Sequence, residues 1–304
     1  TMQKRHLITI KLLMSGCLFL GFLFGCTPKE PNIIKIETGV TSETQYGVFV
    51  LDTNGDLFFW AEDNTSTLVD SGVKDFSFSA SRLYILKENG DLLSSEAKWY
   101  QRNQELSVLY HNDSAQSISN SILTMSDGSL LSYQSKNGNW NEIDIQAVYT
   151  DAGFWGAGII DEDGFLWHLD RESGILTLVA ENVIDCCYSD RNKVYYSDDI
   201  WYITADKTMH LYQTYSEDGR TYDFPTNVVD VSGAMGQYLA VLENGEIVYG
   251  NSITSATDVG VCGEHIDMFG IYYSILDENG EIHLGIIQPD GSYTDKLITV
   301  QLGE

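Results

Sequence analysis

The chain has 304 residues and carries 17 Lys and Arg against 44 Asp and Glu, a formal net charge of −27. Such a surface repels phosphates and anionic lipid headgroups, which argues against nucleic acid as a partner and against direct binding to a membrane surface. Its cysteines make no disulfide framework and no CxxC pair, so nothing points to zinc or dithiol redox chemistry.

In chain order the first element is a leader. Lys4, Arg5, His6 and Lys11 give a basic start, and "LLMSGCLFLGFLFG" follows as an apolar run. Fourteen residues are too few for a helix to cross the hydrocarbon core, which takes about 20, but they suit a secretory signal over residues 1–25. The run ends in "LFGC", Leu23 to Cys26, which resembles the lipobox of bacterial lipoproteins, although Phe24 is bulkier than the usual middle residue. That resemblance implies cleavage before Cys26, a diacylglycerol on its thiol, and a domain held on the outer face of the cell membrane. "TPKEPN" then reads as a polar tether within residues 26–33. Cleavage leaves 14 basic against 44 acidic residues, a formal charge of −30. Cys186, Cys187 and Cys262 are expected to be buried as small apolar residues, with a bridge from Cys262 to one of the vicinal pair as the alternative.

From residue 34 onward one pattern recurs. "LDTNGDLFF", "LKENGDLLS", "LTMSDGSLLS", "IIDEDGFLWH", "ITADKTMHL", "VLENGEIVY" and "LDENGEIHL" each set a short turn between alternating strands. The turn centres are Gly55, Gly90, Gly128, Gly164, Lys207, Gly245 and Gly280, spaced 35, 38, 36, 43, 38 and 35 residues apart. Asn-Gly and Asp-Gly supply positive φ without steric cost and so close tight hairpins. Leu57, Leu92, Leu130, Leu166, Met209, Ile247 and Ile282 follow two residues after each centre as buried strand positions. Upstream, "VKDF", "VIDC", "VVDV" and "HIDM" mark a further strand with Asp at a fixed place. Downstream, a variable loop leads to one more strand, as in "GILTLVA" or "DKLITVQL".

Four strands per unit and seven units are thus expected across residues 34–304. An isolated hairpin is marginal in water, so each unit must bury its faces on the next. Radial stacking of such sheets is a β-propeller, an all-β fold; a linear solenoid would want atypical caps at both ends. The units resemble the repeats of the regulator of chromosome condensation family, best in "VVDVSGAMGQYLAVLENGEIVYGNS" with Gly233, Gly245 and Gly250 at family positions. Tyr238 stands where that family often has His, and the Trp-Gly-Asn and Gln-Leu-Gly endings are missing. Secreted bacterial relatives in that family include inhibitors of cell-wall-related enzymes, so the resemblance implies inhibition or scaffolding.

Motifs for catalysis are absent: no GxSxG, no phosphate-binding glycine loop, no HExxH. His168, His210 and His283 occupy the same or adjacent places in units four, five and seven, where outer strand positions account for them, and no metal or other cofactor is expected. "DTNGD", "DEDGF" and "DENGE" are hairpin tips, shorter than the roughly twelve-residue loop calcium uses. "SEDGRTY" is a single near match to a sialidase Asp box, without an arginine cluster to accompany it. What remains is aromatic surface. Trp155, Tyr196, Tyr272 and Tyr273 read as loop residues converging on one mouth of the channel, and Trp99, Tyr100 and Trp140 as a second cluster, whereas Tyr84 and Tyr238 read as core. The expectation is a monomeric, non-catalytic binding module for a protein partner at the cell envelope. The alternative is a glycan-binding or glycan-cleaving propeller.

Overall fold

The structure is a computed structural model and describes residues 33–40, 46–79, 82–94, 105–134, 138–189, 199–213, 224–251, 256–288 and 292–298. The leader, Cys26 and the tether up to residue 32 lie outside the described residues, as do Trp99, Tyr100 and Tyr196.

The first antiparallel sheet pairs β1 (Ile33–Val40), β2 (Tyr46–Asp52), β3 (Leu57–Ala61) and β4 (Ser66–Asp70) in chain order. The second holds β5 (Val73–Ser79), β6 (Arg82–Lys87), β7 (Asp91–Ser94) and β8 (Ser107–His111). The third is β9 (Ala115–Ser119), β10 (Ile122–Met125), β11 (Leu130–Gln134) and β12 (Asn139–Ile143). The fourth is β13 (Ala147–Ala152), β14 (Gly156–Asp161), β15 (Leu166–Asp170) and β16 (Ile175–Ala180). A three-stranded sheet follows, β17 (Val183–Ser189), β18 (Asp199–Thr204) and β19 (Met209–Gln213). The last runs without a break through β20 (Val228–Ala234), β21 (Gln237–Leu242), β22 (Glu246–Asn251), β23 (Thr257–Phe269), β24 (Tyr272–Asp277), β25 (Ile282–Ile287) and β26 (Tyr293–Ile298).

Seven separate four-stranded sheets are therefore not what the hydrogen bonding returns: the described strands make six sheets, four of them four-stranded. The physical reason lies largely in β23. Its first half pairs with β22, Thr257 opposite Tyr249, and its second half pairs with β24, from Gly263 opposite Asp277 to Phe269 opposite Tyr272. No turn interrupts it, so two ladders join. After β19, residues 214–223 lie outside the described residues.

The recurrent turn does two jobs. Gly55, Gly90, Gly128, Gly164, Gly245 and Gly280 all sit at φ between +78° and +87°, and Lys207 takes the same region at +63° without being glycine. Asp52 and Asp277 brace their tips by accepting the N–H groups of Asn54 and Asp56, and of Asn279 and Glu281, at 2.8–2.9 Å. The tip carbonyls of Gly55, Gly128, Gly164, Lys207 and Gly245 then accept the N–H of Val73, Ala147, Val183, Val228 and Gly263, which open the next sheet or ladder. The turn thus closes one hairpin and ties it to its neighbour.

Each core is an interface. Among the described residues seven apolar clusters form, each between successive packing layers, as where Tyr84, Leu86 and Leu92 meet Ala115, Ile118 and Leu123. One of them joins the ends of the chain: Ile33, Ile36, Val48, Val50 and Trp60 pack against Leu276, Ile282, Leu284 and Ile298. A linear stack keeps its ends apart, whereas here they share a core. The fold is a closed all-β ring, a β-propeller.

The final glycines of "AVLENGEIVYG" and "SILDENGEIHLG" belong to the same packing. Gly250 faces Tyr238 and Gly285 faces Tyr273 across the ladder, and a Cβ would approach those fully buried aromatic side chains to 2.6 and 2.4 Å. The missing side chain makes room for the ring.

Candidate functional site

The innermost strands are β1, β5, β9, β13, β17, β20 and the second half of β23. Each carries a one-residue bulge after its first position, as between Val73 and Asp75. The bulge turns one residue out to solvent at the end of the ring that carries the hairpin tips, which exposes Ile34, Val148, Ile184 and Val229. Beyond the bulge, alternate residues share a face, so two layers of side chains can be read from the register. The first holds Lys35, Asp75, Ser117, Tyr149, Asp185, Asp230 and His265; the second holds Glu37, Ser77, Ser119, Asp151, Cys187, Ser232 and Asp267. The register corrects one reading of the repeats: Asp75, Asp185 and Asp230 are equivalent, but the Asp of "HIDM" is Asp267, one layer further along, with His265 in the equivalent place.

The second layer ties the ring together. Glu37 accepts the N–H of Phe78, Ser77 that of Asn120, Ser119 that of Ala152, and Asp151 that of Tyr188. Cys187, Ser232 and Asp267 accept those of Gly233, Met268 and Thr38. The links measure 2.5–3.2 Å, and the last returns to the first strand. Every residue here is one whose side chain can accept a hydrogen bond, which is why Ser, Asp, Glu and Cys recur on this face.

Charge along these strands is unbalanced. Lys35 is the one lysine in these two layers, with its ammonium 2.9 Å from both Glu37 and Asp75, 2.6 Å from the Phe76 carbonyl and 5.0 Å from the Phe76 ring centre; Lys74 on β5 sits at the bulge and reaches the Ala115 carbonyl instead. Burial pulls its pKa down, but the attraction of Asp75 and Glu37 outweighs that and holds it above the usual range. Asp151, Asp185, Asp230 and Asp267 have no Lys or Arg ion pair among the described residues. Burial pushes Asp230 up to about 7 and Asp267 to about 6, and raises Asp151 and Asp185 as well. The Cys186 and Cys187 thiols are likewise raised by burial, which makes them poor nucleophiles.

Above the second layer, turns from the inner to the second strands enclose a cavity of about 380 Å³. Glu37, Asp151 and Asp267 line it together with Phe78, Phe154, Trp155, Met235 and Phe269. Phe154 is 52% exposed, Met235 47% and Trp155 37%, and the rings of Phe154 and Trp155 meet edge to face at 4.7 Å. Ser189, which is 1% exposed, also lines the cavity, and its hydroxyl has no hydrogen-bond partner among the described residues.

Of the residues expected at this mouth, Trp155 is on it. Tyr272 is half-buried and stacks on Tyr46, ring centres 4.8 Å apart, at the seam between the last and first strands. Tyr273 is a core residue: 1% exposed, its hydroxyl donates to the Thr294 carbonyl and reaches Asp295. Strand alternation sends these adjacent tyrosines to opposite faces. Trp140 is no loop residue; it lies on β12, half-buried between Tyr110 and Tyr133. Tyr84 and Tyr238 are buried, and Cys186, Cys187 and Cys262 are free thiols, of which Cys262 is exposed. Met235 and Phe269 escaped sequence reasoning, although "AMG" and "MFG" hold the same relation to their inner strands as "AGFWG" does. Among the described residues no group of three His, Cys, Asp or Glu could hold a metal ion.

No protein-family model matches the chain, and no curated protein sequence matches it. Among solved structures, human WBSCR16 is similar over 78% of this chain and 84% of its own, at 8% identity and a TM-score of 0.61. YCF48, solved bound to D1 peptide, is similar over 87% of this chain and 95% of its own, at 10% identity and a TM-score of 0.58. BamB from Moraxella catarrhalis matches over 87% and 88%, at 12% identity and a TM-score of 0.50. At such identities the likeness is one of fold, and it is the β-propeller fold that this chain shares with them.

Proposed function

We propose that the chain is a lipid-anchored extracytoplasmic propeller that acts as a non-catalytic binding scaffold or inhibitor, with a protein partner docked on the mouth formed by Phe154, Trp155, Met235 and Phe269. The observation that carries this reading is the exposure of Phe154, Trp155 and Met235 together on short turns of the ring, beside the half-buried Phe269 at the end of β23. A few aromatic anchors on such a support dominate most protein interfaces, because they bury much area at little entropic cost. YCF48, similar in fold, was solved with a bound peptide, which the same use of this scaffold would parallel. We also read the ring as seven divergent repeats of the regulator of chromosome condensation type, with β23 ending one unit and opening the next; the seven inter-layer cores support that count.

Residues 26–304, purified and immobilised, provide the bait. Phe154→Ala with Trp155→Ala is expected to weaken capture by about 2 kcal/mol or more, roughly thirtyfold, while leaving the melting temperature nearly unchanged. Asn54→Ala with Asn279→Ala, at the opposite end of the ring, should cost stability and leave capture intact. Unchanged capture by the aromatic pair would refute docking at this mouth, and a glycan array signal abolished by the same pair would favour a glycan-binding propeller. The anchor has its own test: Cys26→Ala should leave the chain unprocessed or release it from membranes, and a mature-sized variant that still sediments with membranes would overturn the lipobox assignment.

A further inference from the structure

The cavity at the mouth is lined by acidic side chains. The two inward-facing layers carry Glu37, Asp75, Asp151, Asp185, Asp230 and Asp267 against one lysine, Lys35, which ion-pairs with Glu37 and Asp75 and acts on Asp151 and Asp267 only at longer range. Asp151 and Asp267 line the cavity and make no Lys or Arg ion pair among the described residues. Their oxygens accept the N–H groups of Tyr188 and Thr38 and the Ser119 hydroxyl, and a carboxylate has lone pairs to spare beyond these. A partly buried carboxylate outside an ion pair favours any cation that can reach it.

Three further features narrow the cation. The absence of a metal-holding cluster among the described residues turns attention to organic cations. Phe154, Trp155 and Phe269 border the cavity, and aromatic faces suit both a methylene stem and a cationic head. The Ser189 hydroxyl is buried in the lining without a partner among the described residues, placed to accept an N–H from an occupant. The ring also holds its own precedent, since the Lys35 ammonium sits between two carboxylates, a carbonyl and a Phe ring. At about 380 Å³ the space is large enough for a side chain and falls within the range of binding pockets.

We propose that this cavity receives a lysine side chain of the docked partner, its ammonium toward Asp151 and Asp267 and its stem against Trp155 and Phe269. The proposal rests on the docking reading above and names what the partner brings. The probe is the acetylated, amidated pentapeptide Gly-Gly-Lys-Gly-Gly, titrated calorimetrically into residues 26–304 at neutral pH beside the same peptide with norleucine for lysine. The lysine peptide should bind at least tenfold more tightly. Asp151→Asn with Asp267→Asn should erase that preference, because an Asn oxygen still accepts the Tyr188 and Thr38 N–H groups but carries no charge. Trp155→Ala, at an exposed position that spares the inner ring, should weaken both peptides. Equal binding of the two peptides overturns the proposal, as does a lysine preference that survives in the folded Asn variant. Binding of n-butylammonium as tight as that of the lysine peptide also overturns it, in favour of a free amine. If the peptides bind equally while Phe154→Ala with Trp155→Ala still abolishes capture, the docking reading stands alone. If lysine discrimination holds and capture is indifferent to the aromatic pair, the cavity stands and the docking reading fails.

Discussion

Deleting residues 293–304 is expected to unfold the whole ring, lowering its stability by about 4 kcal/mol or more. The deletion removes β26, the outer partner of β25, and with it Ile298, which is fully buried among Ile33, Ile36, Trp60 and Leu284. Loss of a buried Ile side chain alone costs about 2–5 kcal/mol, and here the vacated space lies in the core that joins the two ends. Since every core lies between neighbouring layers, an opening at one seam weakens both layers that share it. Native-state hydrogen exchange reads the outcome directly: amides of β1–β3, more than 230 residues upstream, should lose protection together with those of β24 and β25. Fraying confined to the C-terminal strands, with β1–β3 still protected, is what a linear array would give and would contradict the closed ring.

Stability should also fall as pH rises from about 4.5 to 7.5, by roughly 4 kcal/mol. Asp230 and Asp267 hold their protons up to about 7 and about 6 in the folded ring, whereas the unfolded chain releases them near 4. A group whose folded pKa is raised stabilises fully below its unfolded pKa and loses that contribution as pH climbs through the folded value. At about 1.4 kcal/mol per pKa unit the two shifts would sum to more, but both carboxylates are only partly buried and solvent screens them. Asp91, Asp127 and Asp206 at hairpin tips act in the opposite sense. Hydrogen bonds lower their pKa values, so their contribution is lost as pH falls below about 4. Chemical denaturation across this range should therefore place the maximum between pH 4 and 5. Asp230→Asn with Asp267→Asn should make the neutral limb shallower without removing it, because burial also raises Glu37, Asp151 and Asp185, and a native profile that rises from pH 5 to 8 would contradict the assignment.

What the sequence disclosed follows from the range over which each feature acts. The hairpin tips were legible because Asn-Gly and Asp-Gly fix their own φ, and seven of them at near-constant spacing already imply stacked units. The ties across the ring were not. Asp151 and Asp267 are partnered by the N–H groups of Tyr188 and Thr38, so their role depends on neighbours that no local pattern reveals. Tyr273 could have been placed correctly: it stands seven residues before Gly280, as Tyr238 stands seven before Gly245, and each faces a ladder glycine. Phe154 and Trp155 were recognisable as loop aromatics, but the cavity they border joins turns from distant units and exists only once the ring closes. The length of β23 was concealed too, because Gly260 at φ +75° bends the strand without ending it.

The central claim, that a partner docks on the aromatic mouth over the acidic inner strands, is tested most directly by hydrogen exchange on residues 26–304 with and without the captured partner. Slower exchange is expected in residues 151–157, 233–237 and 268–272, with no change at the tips in residues 53–56, 88–91 and 278–281. Protection at those tips, with the mouth exchanging as in the free chain, would place the partner at the opposite end of the ring and contradict the account.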